Sequence, residues 1–362
     1  MDKPIKKRYG GLKIIWHNDK LKSFINDEIT APIYIRIKPT NICNHRCFYC
    51  SYSPEAKNIL SETINPKDEI PKDKMMEILG DLRDMKVKAV TYSGGGDPLV
   101  YPYITEVLKK TLDSGIDLSM ITNGQNLKGE NAKILAKAKW VRVSLDSINP
   151  ETFVKTRRVP EACFHELINN LKEFAKIKDK KCEFGINFVV NHINKDEVYE
   201  AAKFFKEIGV NHVKFTPRWI EEGWADYHAP FKEHVIEQIK KAKEDFEDNE
   251  GRFNVFDTYE NDFSMTGMKE RGYTRCWMMQ TKPVIAADSN VYFCFDTAYT
   301  KAGLLGSIKD KSFKELWFSE EAKKKFKNYD PSIGCKHHCT NDYRNKIVDE
   351  AISCFGDDVN FI

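Results

Sequence analysis

No stretch of this 362-residue chain approaches the roughly 20 consecutive apolar residues of a membrane span, so no bilayer partner is expected. Charge of one sign is equally scarce. Lys and Arg number 57 against 54 Asp and Glu, a net of +3, which offers nucleic acid no basic surface. The Lys-rich stretches Lys232 to Lys243 and Lys323 to Lys327 lie among acidic residues at helical spacing and read as solvated helix faces. The start, Met1 to Tyr9, is basic but lacks the apolar core of a signal peptide. Repeats and low-complexity tracts are also missing. Ten cysteines without an export signal point to reduced thiols and metal ligation in the cytoplasm rather than to disulfides.

What remains is an ordinary globular composition, 41% hydrophobic and 31% charged, in a chain long enough for one large domain and a small one. Apolar strand-like runs at 33–38, 87–93, 116–121, 140–145, 182–190 and 211–216 alternate with helical patterns. The helical patterns include Lys72 to Met85, Tyr101 to Ser114, Gly129 to Ala138, Cys163 to Lys178 and Lys195 to Ile208. Such alternation predicts an α/β fold with a parallel sheet and right-handed crossovers, and six strands make an open, partial (β/α)6 barrel. A charged helix at 231–248 follows, then a stretch at 252–272 with little pattern. The expected division is a lead-in at 1–30, the barrel at 31–250, and a linker with a small C-terminal α+β domain at 251–362.

In sheets of this kind, chemistry gathers at the C-terminal ends of the strands. Each distinctive motif falls there. Strand one is followed by Cys43-Asn44-His45-Arg46-Cys47-Phe48-Tyr49-Cys50, strand two by Ser93-Gly94-Gly95-Gly96-Asp97-Pro98. Thr122-Asn123-Gly124, Ser144-Leu145-Asp146-Ser147 and Thr216-Pro217-Arg218-Trp219 end strands three, four and six. Three thiolates can hold a four-iron cluster and leave one iron open to a small molecule. The alternative is a zinc knuckle with His45 as the fourth ligand.

Over residues 33–340 these features resemble the radical S-adenosylmethionine (radical SAM) superfamily. The resemblance implies that Cys43, Cys47 and Cys50 bind a catalytic [4Fe-4S] cluster whose open iron takes the amino and carboxylate groups of S-adenosylmethionine. One electron from the cluster then releases methionine and a 5′-deoxyadenosyl radical. Gly95 and Gly96 would let the backbone approach that cofactor. Asp97, where the family usually has Glu, would meet its ammonium group. The resemblance places Tyr49 against the adenine and Ser144 on the ribose or methionine carboxylate. Arg157, or its neighbour Arg158, suits that carboxylate as a planar donor fork. Asn123 reads as a further cofactor contact or as a turn former.

A second set follows in Cys276, Cys294, Cys335 and Cys339. A hairpin through Pro283 to Phe293, turning at Asp288-Ser289-Asn290, would return Cys294 towards Cys276. Leu305-Gly306-Ser307-Ile308 and a helix from Ser312 to Asn328 precede the last pair. This layout is similar to the twitch domain, the short form of the SPASM domain, and implies one auxiliary [4Fe-4S] cluster, two clusters in all. A structural zinc site is the alternative, and His337 or His338 could replace one cysteine. Cys163 and Cys182 read as packing residues; one of them, or Cys354, could instead donate hydrogen to a product radical.

The resemblance implies abstraction of a hydrogen atom from the substrate, then oxidation with the auxiliary cluster as electron acceptor, or epimerisation. The 30 residues before the first strand leave little room for a leader-peptide domain. The expected substrate is therefore a small molecule: a sugar, nucleotide sugar or aminocyclitol in carbohydrate biosynthesis. Arg218 and Trp219 are candidates to line its pocket, and a flavodoxin or ferredoxin would supply electrons. The alternatives are a peptide or protein maturase and a non-catalytic iron–sulfur electron carrier.

Overall fold

The computed structural model describes residues 10–53, 62–220, 223–248, 250–259, 271–335 and 339–355. Seven strands follow one another through the first part of the chain: β1 (Tyr34–Ile37), β2 (Ala89–Tyr92), β3 (Asp117–Thr122), β4 (Trp140–Ser144), β5 (Glu183–Val190), β6 (His212–Pro217) and β7 (Asn254–Asp257). Each pairs in parallel with the next. Three short strands follow: β8 (Val284–Ile285), β9 (Asn290–Tyr292) and β10 (Leu304–Ser307). β8 pairs in parallel with β1, and β9 and β10 continue antiparallel. The sheet order is therefore β10-β9-β8-β1-β2-β3-β4-β5-β6-β7. The sheet stays open, and the C-terminal unit is built directly onto the first barrel strand.

Crossover helices include Lys72–Asp84, Ile104–Asp113, Gly129–Leu135, Ala162–Ile177 and Val198–Ile208. No helix among the described residues is long and apolar enough to cross a membrane. Each of the first six strands lies within two residues of its predicted span. β7 falls in the stretch where the sequence shows little pattern, because four residues paired only at the sheet edge need no long apolar run. The predicted helix from Ser312 to Asn328 is two helices, Phe313–Trp317 and Glu320–Asn328. Ser319 ends the first and caps the second, its Oγ accepting from Ala322 N at 3.1 Å.

Register sorts the strand residues onto two faces. Ile37, Tyr92, Met120, Val141 and Phe184 are paired in one row across five strands, and all are fully buried. They sit in the same core as the crossover helices' apolar residues, for example Ile78, Leu108 and Phe205. The opposite face carries Arg36, Thr91 and Ser119 in one row and Ser144, Asn187 and Lys214 in another. Parallel strands buried on both faces are normally apolar throughout. Here the inner face is polar, which reserves the barrel interior for chemistry.

Trp317 joins the lead-in to the C-terminal unit. It is fully buried between Phe313 and Phe326, ring centroids 5.7 and 5.0 Å away, and donates from Nε1 to Thr30 O at 3.0 Å. Trp317→Ala is expected to cost about 3–5 kcal/mol in chemical denaturation. A loss below about 1 kcal/mol would contradict this packing role.

Candidate active site and iron–sulfur centres

The cysteine loop is held by a helix that follows β4. Pro150–Arg157 starts at Asn149, whose side chain caps Thr152 N at 2.9 Å, with Pro150 in the first turn. It ends at Arg158, which takes the left-handed conformation at φ +53°. A helix end leaves carbonyls without helical partners. Here Arg46 N donates to Arg157 O (3.0 Å) and Phe48 N to Thr156 O (3.2 Å), so the cysteine loop docks on those carbonyls.

Arg157 also turns its side chain to this loop. It is 3% exposed. Nη1 donates to Cys47 Sγ at 3.4 Å, Nη2 to Ser144 O at 2.8 Å, and Nη2 pairs with the fully buried Asp146. The Tyr49 ring lies 5.8 Å from the guanidinium carbon. Of the two adjacent arginines, Arg157 is thus the one at the site. Within the chain its carboxylate partner is Asp146. Sequence reasoning passed over Asp146, although it stands two residues beyond Ser144 at a strand end.

Asn123 reaches the loop from β3. Its Nδ2 donates to Asn44 Oδ1 at 2.6 Å and lies 3.8 Å from Cys43 Sγ. Asp97 fixes that strand end. Its Oδ1 accepts from Leu99 N, both oxygens accept from Thr122 Oγ1, and Oδ2 accepts from Asn123 N at 2.6 Å. Asp97 thus ties Leu99, Thr122 and Asn123 together at the end of β3 and positions Asn123 at the cysteine loop. Burial raises its pKa against these donors.

The glycines serve the same close packing. A Cβ on Gly95 would stand 2.2 Å from Asn41 Oδ1, and one on Gly96 2.0 Å from Ile42 O. The turn after β2 therefore lies directly against the chain leading into Cys43. Arg218 arrives from β6 and stacks 4.7 Å from the Phe48 ring, with Tyr227 at 5.2 Å. Trp219 beside it is half-buried.

His45, the fourth ligand of the zinc alternative, is buried with Nε2 3.4 Å from Gln125 Oε1 and packs edge-on against Phe153. Burial, then the Arg157 charge, lowers its pKa to about 4, so it is neutral. Burial, then the Asp97 charge, pushes the Cys43 thiol up to about 12. Such a thiol ionises when a metal replaces its proton.

The second set assembles around one cavity. Cys276, Cys294, Cys335 and Cys339 all line it, with Arg271, Tyr329 and others. The hairpin forms as the sequence predicts and returns Cys294 to this cavity. Tyr329 Oη lies 3.1 Å from Cys335 Sγ and Thr297 Oγ1 3.4 Å from Cys294 Sγ. Burial, then the Cys339 and Cys335 charges, pushes the Cys276 thiol up to about 12; burial, then Asp296, does the same for Cys339. Four thiols converging on one cavity, with hydroxyls at two sulfurs, fit an iron–sulfur cluster. His337 and His338 lie outside the described residues. Among the described residues no three Cys, His, Asp or Glu side chains form a group that could hold a single metal ion. Cys182 is buried with Sγ 3.7 Å from Leu135 O, Cys163 packs against the core and Cys354 is exposed.

The comparisons fall on the same two segments. The radical SAM superfamily model matches residues 37–205, and the SPASM model, an iron–sulfur cluster-binding domain, matches residues 276–340. A probable GTP 3′,8-cyclase of Thermococcus kodakarensis is 33% identical over 180 residues, 48% of this chain and 53% of that protein. An S-adenosylmethionine-dependent nucleotide dehydratase of Flammeovirga pacifica is 28% identical over 178 residues, 46% and 60% of the two chains. The chain thus spans somewhat over half the length of these curated relatives. Among solved structures, Streptococcus suis SuiB bound to S-adenosylmethionine is similar in fold at a TM-score of 0.60 and 16% identity, covering 90% of this chain and 73% of that one. The structure of anSMEcpe with bound AdoMet gives 0.58 and 21%, covering 87% and 84%.

The Arg157–Asp146 pair is the most consequential contact of the first site. Removing one member of a buried pair typically costs about 3–5 kcal/mol, because the other charge stays buried. Asp146→Asn is expected to lose stability on that scale, and adding Arg157→Gln should recover part of it. A double-mutant cycle with no coupling would contradict the pairing.

Proposed function

We infer the reaction from one premise: the chain belongs to the radical SAM superfamily and carries a C-terminal SPASM iron–sulfur domain. Our reading is that it abstracts a hydrogen atom from a small sugar-like substrate, a nucleotide sugar foremost, and oxidises or epimerises it. The peptide-maturase reading shares both domains, and the likeness to SuiB concerns the fold alone. The named activities of the cyclase and dehydratase relatives, both on nucleotides, favour the small-molecule reading.

The observation that carries the reading is the placement of the two cysteine sets. Lys38, at the end of β1, is within electrostatic range of both Cys50 and Cys294, and so is Tyr52. A substrate on the inner face at this point stands between both sets.

When bound, a reduced four-iron cluster and S-adenosylmethionine supply a carbon radical able to abstract hydrogen. Cys43, Cys47 and Cys50 would hold that cluster. The donors Arg157 and Asn123 lie at the sulfurs of Cys47 and Cys43, where N–H groups tune a cluster's potential. Tyr49, the Gly95–Gly96 backbone, Asp97, Asn123, Ser144 and Arg157 are the residues that would hold S-adenosylmethionine. Cys276, Cys294, Cys335 and Cys339 would hold a second cluster. A substrate that loses a hydrogen atom, then an electron and a proton, has undergone two-electron oxidation. In this reading the electron leaves on the Cys294 side. A flavodoxin or ferredoxin would supply the initiating electron.

The test is anaerobic release of 5′-deoxyadenosine by the reduced, iron-loaded protein with separate substrate pools. The single pool of nucleotide sugars, amino sugars and aminocyclitols should stimulate release at least tenfold over buffer. Stimulation by mixed peptides alone would overturn the substrate assignment.

A further inference from the structure

Lys38 is the one lysine whose side chain is both fully buried, at 1% exposure, and left with Nζ unpartnered among the described residues. It stands on the inner face of the barrel just past the end of β1, two residues from Arg36, whose guanidinium bonds Tyr34 but whose Nε has no partner. Two rings flank the ammonium, Tyr52 at 4.0 Å and Tyr299 at 4.6 Å from their centroids, and Phe295 lies 4.3 Å from the Arg36 guanidinium. Aromatic faces stabilise a cation, but they offer no oxygen to accept its protons.

The carboxylates within range are engaged elsewhere. Asp288 accepts from Tyr292 Oη at 2.6 Å and from Asn290 Nδ2 at 2.8 Å; Asp296 accepts from Thr340 Oγ1 at 2.9 Å. A buried ammonium without an acceptor costs free energy, and such groups persist where function uses them. Burial, then the neighbouring Arg36 charge, drives the Lys38 pKa well down, as expected for a site lacking its counter-ion.

We propose that Lys38 and Arg36 form an anion seat between the two cysteine sites, and that the substrate carries an oxyanion group, phosphate or carboxylate, held there. This rests on the reading above that substrate stands between the two sites. It adds that the substrate is charged, which excludes neutral sugars and cationic aminocyclitols. A phosphate or carboxylate supplies the acceptors that the protein withholds, and the guanidinium and ammonium bracket it with charge-assisted hydrogen bonds.

The test uses the full chain with iron loaded, under anaerobic conditions, with S-adenosylmethionine present. Calorimetry would measure binding of uridine diphosphate, glucuronate and glucose to the unaltered protein and to Lys38→Met and Lys38→Arg. Binding of uridine diphosphate or glucuronate, with glucose silent, is expected, and whichever binds identifies phosphate or carboxylate as the group recognised. Lys38→Met should weaken that binding about ten- to a hundredfold, the scale of one charge-assisted hydrogen bond, while Lys38→Arg retains most of it. Iron content and S-adenosylmethionine affinity should stay unchanged. Without substrate, Lys38→Met should melt no lower than the unaltered protein, since it removes an unpartnered buried group.

Several results would overturn the seat. These are no anion binding by the unaltered protein, anion binding within twofold in Lys38→Met, or a lowered melting temperature that reveals a structural partner. Loss of S-adenosylmethionine affinity instead would assign Lys38 to the cofactor's carboxylate. An altered cluster spectrum with anion binding intact would assign it to the clusters. Glucose binding unaffected by Lys38→Met would sink the seat and leave the sugar reading standing. Stimulation of 5′-deoxyadenosine release by peptides alone would remove the sugar reading itself.

Discussion

The free carbonyls at the end of Pro150–Arg157 are the anchor on which the first site depends. They take two backbone N–H groups from the cysteine loop, one on each side of Cys47. The same terminus delivers the Arg157 guanidinium to Cys47 Sγ, Ser144 O and Asp146. A loop of eight residues with three thiols has little packing of its own. Docked on a helix end, two of its backbone N–H groups are satisfied, and the Cys43 and Cys47 sulfurs face donors. The positive φ of Arg158 matters here, because it stops the helix where its last carbonyls meet the loop.

A second constraint sets the location of the chemistry. Strands of the parallel sheet bury apolar side chains towards the helices and turn polar ones inward, and the C-terminal hairpin adds to the same sheet at β1. Cys276 and Cys294 therefore flank a hairpin that extends the sheet beside the strand leading into the first cysteine loop. β1 stands between the two sets, and Lys38, just past its end, is within electrostatic range of both Cys50 and Cys294. The fold brings the two sites together through one strand, without a long linker having to close on itself.

Much of this is legible in the sequence where local chemistry is strong. Strand–helix alternation gives the parallel sheet, and the two cysteine motifs lead to the two families whose models match residues 37–205 and 276–340. The Asp288-Ser289-Asn290 turn announces the hairpin that carries Cys294. Long-range pairing is what stays hidden. Asp97 offers the same carboxylate to a ligand or to Thr122 and Asn123, and only the closed fold shows the second. Arg157 is recognisable as a site arginine, yet its partner Asp146 emerges from packing between β4 and the next helix. Lys38 reads as an ordinary strand-end lysine until Tyr52 and Tyr299, the latter distant in sequence, close around it. β7 is invisible because an edge strand of four residues carries too little pattern.

The central claim is that this chain holds two distinct clusters and that only the first meets S-adenosylmethionine. The most direct measurement is iron content and electron paramagnetic resonance of the reduced protein, with and without S-adenosylmethionine. The unaltered chain would be compared with a variant carrying Cys43→Ala, Cys47→Ala and Cys50→Ala. The account predicts about eight irons in the unaltered protein and about four in the variant, four per cluster. It also predicts a spectrum that S-adenosylmethionine changes in the unaltered protein but not in the variant. A correctly folded variant without iron, or one whose remaining cluster responds to S-adenosylmethionine, would contradict it.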